Sequence, residues 1–173
     1  MYRYSYITAH AYDKANQRVS FSGNGKSEDF LWDGLALIHR GETSFINEPY
    51  VTGGNPILSS KDGVMFNDML GSTLAVNGNP VEMTSFGETA DKNAFFTGKP
   101  MIDELGYTFL FRDYNPNQWK WTTSDPLGYP DGWNNLAYCN NGASFSIDIL
   151  GTDVYIMVKD VADMSLVKKG LQE

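Results

Sequence analysis

Three residues carry chemistry that their types and spacing make usable: Arg112, Asp125 and Asp148. The two aspartates open matching tetrapeptides, Asp125-Pro126-Leu127-Gly128 and Asp148-Ile149-Leu150-Gly151, 23 positions apart (148 − 125), and Arg112 precedes the first Asp by 13 (125 − 112). An Asp followed by Pro or a β-branched residue, with Gly closing the tetrapeptide, suits a strand end entering a turn, because Gly accepts a positive φ without steric cost. On that reading the pair is two similar turns. A fold that brought the turns together would instead set two carboxylates face to face. Like charges at short range resist ionising together, so one proton is shared; one group becomes a general base for water and the other a general acid. That division of labour suits hydrolysis of an amide, and an Arg held nearby could polarise the scissile carbonyl or stabilise its oxyanion.

The elements that must position these residues read as short strands. Asn24-Gly25, Asp33-Gly34, Asp62-Gly63, Asn77-Gly78, Asp131-Gly132 and Asn141-Gly142 punctuate the chain, and such pairs supply the positive φ that two-residue hairpin loops require. Between them lie segments rich in aromatic and β-branched residues, including 18–21, 29–32, 35–40 and 107–111. The pattern predicts a mainly β chain, an antiparallel meander of hairpins. Helical periodicity emerges only in the tail, where Val161, Met164, Leu166 and Val167 share a face ahead of Lys168, Lys169 and Gly170, predicting a short helix over 160–169.

Composition narrows the partners. At 173 residues and 42% hydrophobic, the chain is long enough for one domain with a sizeable core. Its net charge of −8 opposes binding to phosphate backbones, so no nucleic-acid partner is expected. No stretch approaches the roughly 20 apolar residues needed to span a bilayer, so no membrane partner is expected either. A single cysteine, Cys139, excludes an internal disulfide and reads as a small buried hydrophobe; His10 and His39 are too few for a metal cluster, and neither metal nor cofactor is expected. Asp113-Tyr114-Asn115-Pro116-Asn117 begins like a calcium loop, but Gln118 stands where Gly is wanted and Ser124 where a bidentate Glu is wanted. Gly53-Gly54-Asn55-Pro56 is a turn with no lysine in register for a phosphate. Trp119, Trp121 and Trp133 could stack on a sugar, but the alternation of 119 and 121 reads more simply as one buried strand face.

The runs Phe96-Thr97-Gly98-Lys99-Pro100, Asp103-Glu104-Leu105-Gly106-Tyr107, Phe111-Arg112-Asp113-Tyr114-Asn115-Pro116 and Ser124-Asp125-Pro126-Leu127-Gly128, with Trp119 between the last two, resemble the core signature of the Rhs, or YD-repeat, family. Trp133-Asn134-Asn135-Leu136-Ala137-Tyr138-Cys139-Asn140-Asn141 resembles its continuation. Upstream, Tyr12-Asp13 with Asn16 and Arg18 resembles a YD repeat, Asp13 capping a tight turn and Arg18 beginning the returning strand. Phe30-Leu31-Trp32-Asp33-Gly34, Asp68-Met69-Leu70-Gly71-Ser72 and Ser85-Phe86-Gly87-Glu88 resemble further family segments.

The resemblance implies a β-spiral of YD-type hairpins over 1–94, an Rhs-associated core over 95–152 and a short tail over 153–173. It also implies a role for the three residues, because in that family and the related C subunits of toxin complexes an Arg and two Asp at this spacing form an aspartyl autoprotease. Carried over, Arg112, Asp125 and Asp148 are catalytic and the cut falls after the second motif, near Thr152-Asp153. Ile149 stands where the family usually has Pro, and Thr152 where an apolar residue is usual. The implied partners are the rest of an Rhs shell and a toxin or immunity protein, with self-association through open strand edges. The implied route is cytoplasmic residence followed by export through a specialised apparatus rather than a signal peptide. The alternative function is a catalytically silent core fragment serving as a structural or interaction module.

Overall fold

A computed structural model describes residues 8–23, 25–102, 105–130 and 132–156. The helix expected over 160–169 lies outside them. The described chain is mainly antiparallel β, a meander of hairpins, as the turn pairs and β-forming segments predict.

Nine strands form one sheet in sequence order: β1 (Ala9–Tyr12), β2 (Arg18–Gly23), β3 (Lys26–Asp33), β4 (Ala36–Arg40), β5 (Thr43–Asn47), β6 (Pro56–Ser59), β7 (Gly63–Asn67), β8 (Thr73–Val76) and β9 (Asn79–Pro80). Strand periodicity sorts its side chains. Phe21, Phe30, Leu37 and Met65 are buried, while Leu31, Ile46, Val64 and Phe66 remain exposed. A second sheet runs β10 (Phe95–Phe96), β11 (Lys99–Ile102), β12 (Gly106–Thr108), β13 (Asp113–Asn115) and β14 (Lys120–Trp121), and a hairpin pairs β15 (Ser146–Asp148) with β16 (Val154–Ile156). Phe95 and Ile102 of the second sheet join the buried side chains of the first in one cluster, so the two sheets share a core. Among the described residues no helix is long and apolar enough to cross a membrane.

The Tyr-Asp turn forms as its residues dictate. Asp13 Oδ1 accepts hydrogen bonds from the backbone of Ala15 at 2.8 Å and Gln17 at 2.9 Å, and Asn16 takes φ 63°. Arg18 returns on β2 opposite Tyr12, with its guanidinium 5.2 Å from that ring. Its Nη2 reaches Thr108 at 3.1 Å and Asp113 at 3.3 Å, which docks the first hairpin onto the second sheet.

The second sheet is organised by aromatic rings. Phe96, Tyr107, Phe109, Tyr114, Trp121 and Tyr138 form one buried cluster with Cys139, and their ring centroids lie between 4.7 Å and 6.2 Å apart in the contacting pairs. The polar tips are satisfied at the cluster's edge: the hydroxyls of Tyr107 and Tyr114 donate to the carbonyls of Gly87 and Phe86 at 2.8 Å and 2.9 Å.

Three local expectations are overturned. The segment 107–111 does not run as one strand; β12 ends at Thr108, and a tight loop closes with Phe109 N–H donating to Arg112 O at 3.0 Å. That loop carries no Gly, Pro or Asn. Its conformation is held by tertiary pairing instead, Phe111 N–H donating to Leu150 O at 3.1 Å. Trp119 and Trp121 do not share a face: Trp121 is buried, whereas Trp119 sits in the preceding turn at φ 57°, 56% exposed against Phe86. Asn141-Gly142 is not a hairpin loop but ends a 3₁₀ turn, Tyr138–Asn141, in which Cys139, Asn140 and Asn141 all take positive φ. The ring cluster that seats Tyr138 and Cys139 overrides local preference there.

Candidate functional site

Arg112 leaves the loop between β12 and β13 and points into the protein over the Trp121 ring, with its guanidinium carbon 4.1 Å from the centroid. Both aspartates meet it on the same nitrogen. Nη2 lies 2.7 Å from Asp125 Oδ2 and 3.5 Å from Asp148 Oδ2, and all three side chains are at most 3% exposed. The two carboxylate oxygens are therefore no farther apart than those two contacts allow. The remaining guanidinium nitrogens are engaged by backbone: Nε donates to Gly151 O at 2.5 Å and Nη1 to Asn135 O at 3.1 Å.

Each aspartate is also the cap of its own turn. Asp125 Oδ1 accepts from Leu127 N–H at 2.8 Å. Asp148 Oδ1 accepts from Leu150, Gly151 and Thr152 at 3.1, 2.6 and 3.1 Å. Oδ1 of each aspartate thus builds its turn, while the two Oδ2 atoms converge on Arg112 Nη2. Burial pushes Asp148 up to about 6; its three backbone donors and Arg112 pull the other way and are outweighed.

Thr152 is buried and its N–H is held by Asp148, while its neighbour Asp153 is half-buried at the start of the returning strand. The peptide group joining Gly151 to Thr152 is consequently gripped at both ends, its oxygen by Arg112 Nε and its nitrogen by Asp148 Oδ1.

Two further groups adjoin the centre. Lys99 is 2% exposed, donates to Gly53 O at 2.6 Å and is pulled down to about 8 by burial, against the field of Asp148. The Tyr138 hydroxyl, in the field of Asp148, donates to Thr97 Oγ1 at 3.5 Å, and burial keeps it neutral, well above its usual value. Neither was marked by motif spacing. For Lys99 a signal exists: the paired glycines at 53 and 54 and the Gly at 98. Gly98 takes φ +74°, and a Cβ there would lie 2.0 Å from Gly54 O, so the glycines allow a close backbone approach that seats Lys99 against Gly53.

Other candidates disperse. Asp113, the start of the rejected calcium loop, is committed to Thr108 and Arg18. Trp133 is exposed beside Tyr129 and Trp119 lies against Phe86, so the three tryptophans do not form one platform. Among the described residues no group of three or more His, Cys, Asp or Glu is placed to hold a metal.

The fold is that of an antiparallel hairpin meander closing on a buried Arg-Asp-Asp centre. No protein-family profile and no curated protein matches the chain in sequence. In structure it is similar to part of a Photorhabdus luminescens Tc holotoxin pore bearing an aspartate-to-alanine mutation in TccC3, with a TM-score of 0.60 and 15% identity. The match covers 93% of this chain and 10% of that one, so this chain spans about a tenth of its length. At this identity the likeness is one of fold.

Proposed function

We propose that this chain is a module of a toxin-complex or Rhs-type shell, with repeat hairpins up to about residue 94 leading into a core over 95–152 that cuts its own backbone once. The observation that carries the reading is the meeting of Asp125 and Asp148 on one nitrogen of Arg112, beside a peptide group held at both ends. Asp125, at 2.7 Å from the guanidinium, is the general base that takes a proton from the attacking water. Asp148 supplies the other proton from Oδ2, since Oδ1 is filled by three N–H donors. Water's oxygen bonds to the carbonyl carbon, the C–N bond breaks, and the proton from Asp148 leaves on the new amine. Arg112 stabilises the intervening oxyanion.

Family resemblance puts the cut at Thr152-Asp153, whereas the grip on Gly151 O favours the bond one residue earlier. Intact-mass spectrometry of freshly made protein tests the reading and reports which bond breaks, since the released peptides differ by one Thr. Asp125→Asn and Asp148→Asn should each leave the chain whole. A wild-type chain that stays whole for days at pH 5 and at pH 7 would overturn the proposal.

A second reading has its own support. Nε, Nη1 and Nη2 of Arg112 are all engaged within the protein, as they would be in a purely structural clamp. Under it the chain is a silent interaction module within a larger assembly, and Ile149 and Thr152 mark the lost activity. Restoring cleavage with Ile149→Pro and Thr152→Leu would assign the silence to those two positions.

A further inference from the structure

The peptide group joining Leu110 to Phe111 is held from two sides. Its oxygen accepts from Asn16 Nδ2 at 2.7 Å, in the turn of the first hairpin, and its N–H donates to Leu150 O at 3.1 Å, inside the second aspartate tetrapeptide. A carbonyl only accepts, so the Asn16 atom facing it is the amide nitrogen. Because a peptide unit is planar, holding both ends fixes its orientation, and Arg112 is the next residue of the chain. The loop has need of such a hold. Phe109 N–H donates to Arg112 O at 3.0 Å, leaving Leu110 and Phe111 as a two-residue tip. Tips of this length match the twist of their strands when a central residue takes positive φ, and neither of these does. Packing from the first hairpin is incomplete as well, since a cleft of about 30 Å³ lies between Asn16, Gln17 and Arg18 on one side and Phe109 and Leu110 on the other.

Resting on the autoprotease reading, we propose that Asn16 is a positioning residue for the cut: by holding Leu110 O it keeps the loop that carries Arg112 seated against the second aspartate turn, and so sets the rate of cleavage from the first hairpin. The turn is built for this. Asp13 caps it, Asn16 stands exposed at φ 63°, and Arg18 docks the same hairpin through Thr108 and Asp113. The bond from Asn16 spans 94 positions of sequence, so it ties the repeat segment directly to the core.

The test is the rate of self-cleavage, followed by intact mass of the full chain during cell-free synthesis. Asn16→Gly keeps the left-handed position and removes the donor. Losing that one hydrogen bond should slow the cut about tenfold. Asn77→Gly is the matched control, because Asn77 is also an exposed asparagine at positive φ whose Nδ2 donates to a backbone carbonyl, Asp62 O at 2.6 Å, but within the large sheet. It should cut at the wild-type rate. An unchanged rate in Asn16→Gly, or equal slowing in both variants, overturns the proposal. Should Asn16→Gly fail to fold, Asn16→Asp takes its place: it sets an oxygen against Leu110 O and should slow the cut at least as much, and an unchanged rate there overturns the proposal equally. A second arm stands apart from activity. In the uncut Asp125→Asn chain, adding Asn16→Gly should speed amide exchange at Phe111 by about tenfold in NMR, and unchanged exchange there overturns the hold. A wild type that never cuts, with Phe111 exchanging faster in Asn16→Gly, sinks the autoprotease and leaves the hold of Asn16 on the loop intact.

Discussion

Asp68 in the large sheet and Asp148 beneath the second sheet open turns of the same construction. Asp68 Oδ1 accepts from Leu70 and Ser72 at 2.9 and 2.8 Å, and Gly71 takes φ +89°. Asp148 Oδ1 accepts from Leu150, Gly151 and Thr152, and Gly151 takes φ +87°. Asp13 and Asp125 repeat the plan with Asn16 and Gly128 in the left-handed position. What differs is the surroundings of the second carboxylate oxygen. Asp13 is exposed and Asp68 half-buried, whereas Asp125 and Asp148 are buried and turn Oδ2 onto Arg112. One oxygen builds the turn, and the environment of the other decides whether the residue also has chemistry. Two turns of ordinary construction, buried against one cation, thus bring their second oxygens to a shared contact.

The largest effect should come from removing that cation. Arg112→Met leaves two buried carboxylates without their partner, and breaking a buried pair in this way costs about 3–5 kcal/mol. Urea unfolding should register the loss. A cost below about 1 kcal/mol would mean that the buried turns are no different from the exposed ones. Next comes the contrast between Asp148→Asn and Asp68→Asn. Both keep an oxygen for the turn, so each should fold, but only the first should abolish the cut; Asp68→Asn should also change stability by no more than about 0.5 kcal/mol. Loss of cleavage in both variants would show that turn geometry, not the buried charge, is what the reaction needs.

The buried carboxyl of Asp148 also has a pH signature. Asp148 is raised from 3.8 to about 6, so between those values the folded chain keeps a proton that the unfolded chain has released. Stability contributed by this group is therefore complete below about 4 and falls as pH rises towards 6. Subtracting the pH dependence of Asp148→Asn from that of the wild type should isolate a downward slope in this window.

How much of this was legible in sequence follows from which forces act locally. Asn77-Gly78 closes its hairpin with φ 49° and 79°, and Asp13 caps its turn, because those outcomes depend on a few adjacent atoms. The approach of Arg112 to Asp125 and Asp148 was legible only through motif spacing, since no local rule carries a side chain across 36 residues to a shared contact. The loop at 109–112 and the left-handed run at 139–141 were not legible. The first is held by Leu150 and the second by the ring cluster, and both partners lie elsewhere in the chain. Lys99 escaped for a related reason: a lysine normally reads as solvated, and its burial becomes intelligible only once Gly53, Gly54 and Gly98 are seen to bring two backbones together.

A last comparison falls within the buried pair itself. Gly128 and Gly151 hold the same place in their turns, at φ +92° and +87°, so replacing either with Ala incurs the left-handed penalty of about 1–2 kcal/mol. Their surroundings differ. A Cβ on Gly128 meets nothing within 4 Å, while one on Gly151 would lie 3.2 Å from Phe109 Cβ and 3.3 Å from Arg112 N. Gly128→Ala should therefore show the backbone cost alone and leave the Arg112 contacts undisturbed. Gly151→Ala should add an overpacking cost of about 1–3 kcal/mol and push the loop that carries Arg112. Thermal melts of the two variants, run alongside Gly71→Ala from the large sheet, give the comparison directly. If Gly128→Ala and Gly151→Ala melt together, the second turn is not clamped against the Arg112 loop, and the grip on the Gly151–Thr152 peptide loses its structural basis.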